Sequence, residues 1–525
     1  MATVGAPKQV KVSLLNKILS GVEKAGNKLP DPYTLFIMLA VIVAILSAIC
    51  TFAGVEAIHP GTKAVIKPWN LLSKDGLRWM VQSAIINFTT FAPLGVVMVA
   101  LVGTGVAEKS GFLTIAMSKI LGSAPKNVVT FAIIFISING NMAGDSAFVI
   151  MPPLAAVIFL GLGRSPLLGM FASFGAVAAG FCANLFINGL DFLIVPLTQS
   201  AAVFIDKDYI TTPANNYYFL IASCVILSFV GTFVTEKFMA PRFEGVDISK
   251  YNYDKSILDL TPQQQKGLRY AGYSIVVLAI LTIVLCIGDN AFFKDPDTNS
   301  LLSLKSTLMA GLLPIVTVFF FVPGAIYGFV SGQYHNDKEL FAGIVEAFKD
   351  MAPYVLLCIF CGQFTYYFGK SNLGAILAIK SAAFLESLHF TGIPLLLGLV
   401  VISCVVNLFI GSSSAKWTIL APVFVPMMMI LHYDPALTQL AYRMGDSITN
   451  PLSPLFPYFP IILGFARRYE KETGMGNIIA NMIPYSVSFG IVWIIMLIIW
   501  VMAGIPLGPG GKLYLDAAIS LFRFV

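Results

Sequence analysis

Polar, charged and proline residues crowd two otherwise apolar stretches in the C-terminal part of this chain. Residues 405–426 read VVNLFIGSSSAKWTILAPVFVP, and residues 442–460 read YRMGDSITNPLSPLFPYFP. Asn407, Ser412, Ser413, Ser414, Lys416, Arg443, Asp446 and Asn450 all sit in hydrophobic surroundings. A charge at the centre of a bilayer costs at least ~2.5–3.5 kcal/mol. Such groups persist only where they face protein, water, an ion or a substrate, and that pattern points to transport.

The residue types narrow the chemistry. Asp191, Asn407, Asp446 and Asn450 offer hard oxygen ligands of the kind Na⁺ shares with other hard cations. A carboxyl group in an apolar setting can equally carry a proton. The plainer alternative for all four is a hydrogen bond that ties one helix to another. Arg443 lies three residues before Asp446, on the same helix face. The two either cancel as an intramembrane salt bridge or leave the guanidinium to hold a substrate carboxylate or sulfonyl group. Trp417, beside Ser413 and Ser414, either packs or stacks on an aromatic substrate. Lys416 either snorkels or pairs with a carboxylate. Pro451, Pro454, Pro457 and Pro460 recur at every third position and exclude a helix through the run. They predict an extended, polyproline-like stretch that lines a cavity, its free carbonyls able to serve a cation or a substrate, or else a packing kink.

The composition says what must position these groups. The chain has 525 residues, 57% hydrophobic and 11% charged, with a mean hydropathy of +0.83. Soluble proteins carry about 25% charged residues, so this is an integral membrane protein over most of its length. The net charge of +6 is scattered along the loops and does not suggest nucleic acid. Lys8, Lys11, Lys17, Lys24 and Lys28 precede the first apolar run and read as a cytoplasmic anchor. The seven cysteines lie in or beside apolar runs, and the Cys358/Cys361 pair reads as helix packing rather than a redox or metal motif.

Long apolar runs occur at about 33–53, 86–107, 217–240, 267–288, 305–330, 346–368 and 477–503. The regions 112–199 and 372–465 are apolar but broken by Gly, Pro, Asn and charges. The polar loop 241–266 separates two halves that echo each other. Ala-Pro pairs recur at 92–93 and 352–353, and AEKSGFL (107–113) aligns with FGKSNLG (368–374). NGNMAGDSAFVIMPPLAAV (139–157) aligns with NLFIGSSSAKWTILAPVFV (407–425). Asp145 then stands over Ser413, either balancing Lys416 or capping a half-helix. With the N-terminus inside, counting crossings runs the matched spans in opposite directions, an inverted-topology repeat. Each broken region holds more apolar sequence than one crossing needs. A re-entrant hairpin plus an interrupted helix fits each.

The expected fold is therefore an all-α polytopic membrane protein with about nine transmembrane helices and two re-entrant hairpins. A cytoplasmic segment (1–32) leads into the first half (33–240), with a hairpin tip near 139–146. The cytoplasmic loop 241–266 joins it to the second half (267–504), with a tip near 407–414, and a tail (505–525) closes the chain.

With these motifs in view, the chain resembles the AbgT (p-aminobenzoyl-glutamate transporter) family, most closely its MtrF-like members. The resemblance rests on GNKLPDPYTLF (26–36), NMAGDSAFVIMPPL (141–154), GSSSAKWTILAPVFVPM (411–427) and YRMGDSITNPLSPLFPYF (442–459). It implies a homodimer in the bacterial inner membrane, with a deep aqueous cavity. The implied substrates are p-aminobenzoyl-glutamate, taken up as a folate breakdown product, or sulfonamide antimetabolites, exported. By motif the resemblance implicates Asp191, Asn407, Ser414, Trp417, Pro435, Arg443, Asp446 and Pro454, and associates Na⁺ with Asp191, Asn407 and Asp446 in some members. Others use H⁺, so the coupling ion is H⁺ or Na⁺.

The expected activity is that of an ion-driven secondary transporter of p-aminobenzoate-type aromatics. Sulfonamide export by antiport stands ahead of p-aminobenzoyl-glutamate import. An intramembrane enzyme using Ser413 and Asp446 is disfavoured because the serines lack a nearby His. A channel is the remaining class. FGKS at 368–371 resembles the end of a phosphate loop, but Phe364 stands where Gly is required, so no ATP is implied. HExxH is absent, and the four histidines (59, 335, 389, 432) are scattered. No cofactor beyond the coupling ion is expected.

Overall fold

The computed structural model describes residues 32–58, 64–122, 125, 128–143, 146–244, 248, 251, 260–303, 305–350, 352–388, 391–453 and 456–515. The N-terminal lysines, Asp145, Pro454, half of the 241–266 loop and the last part of the tail lie outside these residues.

The described residues are mainly helical, as a bilayer demands of a backbone that must satisfy its own polar groups. One short hairpin pairs β1 (Ala57–Ile58) with β2 (Val65–Ile66). Among the described residues, six helices are long and apolar enough to cross a membrane. They are α1 (Pro32–Phe52), α9 (Tyr217–Phe233, continued through a π turn and a 3-10 turn to Phe243), α10 (Pro262–Val284), α12 (Leu312–Ser331), α17 (Ser413–Ile430) and α20 (Met475–Ala503). The bent pair α3 (Ala92–Lys109) and α4 (Phe112–Gly122), which meet at 56°, has the length and apolarity of a seventh span when taken as one broken helix. The run expected at 305–330 is split, because a single turn, α11 (Thr307–Ala310), ends at Gly311 before α12 begins.

The repeat is visible element by element. α3 breaks at Ser110-Gly111 and continues as α4. α14 (Ala352–Lys370) breaks at Ser371-Asn372 and continues as α15 (Leu373–Ser387). Gly111 and Asn372 both take left-handed backbone, with φ of 79° and 59°, the conformation open to Gly and tolerated by Asn. The first hairpin is α5 (Val129–Asn139) and α6 (Ser146–Gly161), and the second is α16 (Gly392–Asn407) and α17. Each is followed by an interrupted helix. α7 (Pro166–Ala179) gives way to α8 (Gly189–Ala202), and α18 (Pro435–Ile448) gives way to α19 (Phe459–Tyr469). α5 packs on α7 as α16 packs on α18.

The halves interlock. α1 and α2 (Lys74–Thr89) pack on α14 of the second half, while α12 and α13 (Asp337–Asp350) pack on α3 of the first. Small residues allow the close approach. A Cβ on Gly324 would lie 2.7 Å from the Ala107 Cα, and one on Gly103 would run into the Thr317 carbonyl. At the base of the first hairpin, Arg164 holds Glu236 through two hydrogen bonds of 2.8 and 2.9 Å, and Thr130 donates to the same carboxylate at 2.6 Å. The centre of the molecule is α7 and α18, whose residues are all buried. α7 carries no charge, whereas α18 carries Arg443 and Asp446.

The proline run departs from its expected conformation. Pro451 sits in a 3-10 turn (Asn450–Leu452), and α19 starts at Phe459 with Pro460 in its first turn. Proline is tolerated there because the amide it lacks has no partner in the first turn. The helix does break across the run, but the stretch is not extended throughout.

Candidate functional site

α18 presents its polar residues at helical spacing. Gln439, Tyr442, Arg443 and Asp446 follow one another at intervals of three, one and three residues, which groups them on one side. The helix starts at Pro435, with the Asp434 side chain accepting from the Ala436 amide at 2.8 Å. Gly445 lets α16 lie directly against α18, since any Cβ there would meet the Val400 carbonyl and the Ser403 side chain. That approach brings the tip of the second hairpin onto Asp446.

At this tip two side chains close on one carboxylate. The Lys416 ammonium pairs with Asp446 Oδ1, and the Ser413 hydroxyl donates to Asp446 Oδ2. Lys416 also donates to Asn407 Oδ1. The Asn407 amide nitrogen reaches the Asp446 carbonyl at 2.6 Å, Thr449 Oγ1 at 2.9 Å and Asn450 Oδ1 at 3.0 Å. Asn450 in turn donates to the Ala178 carbonyl of α7 at 3.3 Å, joining the cluster to the first half. The Lys416 side chain is 0% exposed and that of Asp446 is 1% exposed, so neither charge is relieved by solvent in this conformation.

A second buried pair joins the two halves. Arg443 Nη1 lies 2.6 Å from Asp191 Oδ1, with both side chains 1% exposed. Asp191 is positioned by a capping box at the start of α8. Its Oδ2 accepts from the Asn188 amide at 2.9 Å, and Asn188 Oδ1 accepts from the Leu190 amide at 3.0 Å. Arg443 therefore pairs across the repeat and not with Asp446, three residues along its own helix, because Lys416 and Ser413 already hold that carboxylate. Arg443 Nε and Nη2 find no hydrogen-bond partner among the described residues, nor do Asn188 Nδ2 and both polar atoms of Asn184. Such buried orphans are rare in folded proteins, and five of the nine orphan atoms among the described residues lie on α18 and the break between α7 and α8.

An aromatic wall stands beside the pairs. Trp417 stacks on Tyr442 with ring centroids 4.4 Å apart and planes 21° apart. Its indole nitrogen donates to Thr198 Oγ1 at 2.8 Å. Thr198 meets Gln439 Oε1 at 2.5 Å, and Gln439 reaches Asn216 Oδ1 at 3.0 Å. The Tyr442 hydroxyl donates to the Ser413 carbonyl at 2.5 Å and lies 3.4 Å from Asp446.

The structure thus gathers Ser413, Trp417, Arg443, Asp446, Asn407, Asn450 and Asp191 into one region, buried but for the half-buried Ser413. Ser414 sits in the first turn of α17, its hydroxyl 3.3 Å from that of Ser412. Pro435 only starts α18, 11 residues from Asp446, a rise of roughly 16 Å along the helix. Pro454 and Asp145 lie outside the described residues, and Lys416 is balanced by Asp446. Thr198, Gln439, Tyr442, Thr449, Asn184 and Asn188 were not anticipated. The spacing of Gln439 and Tyr442 ahead of Arg443 was the available signal for those two.

The residues do not present a Na⁺ cage. Asn407 and Asp446 turn their oxygens to Lys416, and Asp191 turns to Arg443. Among the described residues no cluster of three or more His, Cys, Asp or Glu could hold a metal ion. A separate apolar cavity of about 480 Å³ opens between α15, α16 and α17, lined by Lys380, Phe384, Leu395, Phe424 and Met427 among others, and by none of the paired charges.

The AbgT putative transporter family model matches residues 17–515. The p-aminobenzoyl-glutamate transport protein of Escherichia coli (strain K12) is 36% identical over 499 residues, which covers 94% of this chain and 96% of that protein. The crystal structure of the Alcanivorax borkumensis YdaH transporter superposes with a TM-score of 0.87 at 38% identity, covering 91% of this chain and all of that one. Neisseria gonorrhoeae MtrF, described with a class of antimetabolite efflux pumps, superposes with a TM-score of 0.88 at 36% identity, covering 94% and 100%. This chain belongs to the AbgT putative transporter family and is a multi-pass membrane transporter, not an enzyme.

Proposed function

We propose that the chain is an ion-driven secondary transporter of p-aminobenzoate-type aromatics that exports sulfonamide antimetabolites across a bacterial inner membrane. The observation that carries this reading is the state of Arg443. Nη1 of its guanidinium is committed to Asp191 and Cys182 lies beside the group, while the Nε/Nη2 edge is buried with no hydrogen-bond partner among the described residues. That edge matches the paired oxygens of a carboxylate or sulfonyl group. The neighbouring Trp417–Tyr442 stack supplies an aromatic wall for the p-aminobenzene ring. An acidic group arriving at Arg443 competes with Asp191, loosening the ion pair that ties α8 of one half to α18 of the other. Substrate occupancy is thereby linked to the fit between the halves, as alternating access requires. In the same reading the protein works as a homodimer with a cytoplasmic N-terminus.

Import of p-aminobenzoyl-glutamate is the second reading, favoured by the 36% identity to the Escherichia coli protein of that description. Both substrates carry the ring and an oxygen-rich polar group. Labelled sulfonamide and labelled p-aminobenzoyl-glutamate, offered to intact cells and to inverted vesicles with pH and Na⁺ gradients imposed separately, test the proposal. Energised accumulation of sulfonamide in inverted vesicles is the expected result. Accumulation of p-aminobenzoyl-glutamate in intact cells alone establishes import instead, and movement of neither against a gradient sinks both readings.

A further inference from the structure

The family resemblance brings Na⁺ to Asp191, Asn407 and Asp446, and the geometry disagrees. The Lys416 ammonium lies where oxygens of Asn407 and Asp446 converge. We propose that Lys416 is a tethered replacement for a metal cation at this position, so that substrate movement by this chain needs no Na⁺. The inference deepens the transporter reading and rests on it for its functional half.

Three observations carry it. First, the oxygens are aimed. The Asn407 amide nitrogen is fixed by the Asp446 carbonyl, Thr449 and Asn450, which turns Oδ1 toward Lys416. Ser413 occupies Asp446 Oδ2, which leaves Oδ1 for the ammonium. Second, the charge is already balanced. Lys416 offsets Asp446 and Arg443 offsets Asp191, with all four side chains no more than 1% exposed. An added metal ion would be an uncompensated buried charge, which costs far more than its local contacts return. Third, the third proposed ligand is absent from the position, since Asp191 has one oxygen on Arg443 and the other on the Asn188 amide. An ammonium also suits the site chemically, being a monovalent donor with no acceptor requirement of its own.

Removing the side chain converts the position into an untethered cation site. Full-length wild-type and Lys416→Ala proteins are compared in NaCl, methylammonium chloride and choline chloride at equal ionic strength. Melting in detergent is read first, then flux of p-aminobenzoyl-glutamate and of a sulfonamide in proteoliposomes. The wild type should melt and transport alike in all three salts. Lys416→Ala should be stabilised, saturably, by Na⁺ or methylammonium but not by choline. Its flux should fall roughly 100-fold in choline, the scale on which a buried carboxylate without its cation is disfavoured, and recover with either small cation. Na⁺ dependence of wild-type flux or melting overturns the proposal. So does a folded Lys416→Ala that answers neither cation, which makes Lys416 a structural partner only. Should Lys416→Ala not fold, the wild-type salt comparison decides alone. A wild type that moves neither substrate defeats the proposed substrates, and melting then still decides the cation question.

Discussion

At the residue scale the site is a problem of buried charge. Breaking one member of a buried pair leaves its partner uncompensated, at a cost of roughly 3–5 kcal/mol. Asp191→Asn should therefore lower the yield of folded protein, because Arg443 keeps its charge. The double variant Asp191→Asn/Arg443→Gln should recover melting stability yet remain inactive in flux, separating the structural role of the pair from its substrate role. Arg443→Lys keeps a charge for Asp191 but lacks the planar fork. It should raise the substrate KM by roughly tenfold to 100-fold, the weight of one or two hydrogen bonds to a charged group, with little change in melting temperature. The cost of burying charge marked Arg443, Asp446 and Lys416 in the sequence. It could not say which opposite charge each would meet. Asp446 lies closest to Arg443 along the chain, and the partner is Asp191, 252 residues away.

At the element scale, function depends on how closely helices approach. Gly445 permits α16 to touch α18, and this contact seats Asn407 and Lys416 against Asp446. Gly445→Val drives a side chain into the Val400 carbonyl, and overpacking of this kind costs roughly 1–3 kcal/mol or more. Folded protein should drop sharply in size-exclusion profiles, and any folded fraction should lose transport. Gly464, with open space around its Cβ position, provides the control, and Gly464→Ala should be neutral in both measurements. The interruptions were legible because Gly, Pro and Asn clusters cannot continue an apolar helix. The split at Gly311 was not, since one glycine in an apolar run is compatible with a continuous helix. The proline spacing was misleading for a related reason. Pro451 and Pro460 found places in a 3-10 turn and a helix's first turn, which serve proline as well as an extended chain does.

At the scale of the whole molecule, two matched halves exchange helices. α1 and α2 brace the second half, and α12 and α13 brace the first. The counting of crossings places the loop after α10 outside the cell and the segment after α19 inside. With the seven native cysteines replaced, Asp297→Cys should react with an impermeant maleimide in intact cells, and Lys471→Cys only in inverted vesicles. Both positions are exposed. Labelling of both from the same side would break the inverted orientation of the repeat.

The sequence by itself determined that the chain lies in a membrane, where most of its helix interruptions fall and that it is built twice over. Each follows from local physics, because apolar length, helix-breaking residues and recurring motifs act within a single element. Only the tertiary structure decided the partners. It gave Lys416 to Asp446 and Arg443 to Asp191, stacked Trp417 on Tyr442, and left Nε and Nη2 of a buried guanidinium without a hydrogen-bond partner among the described residues. Those pairings arise where a hairpin tip, a helix break and a buried helix from both halves converge, and no spacing along one strand of sequence encodes that convergence.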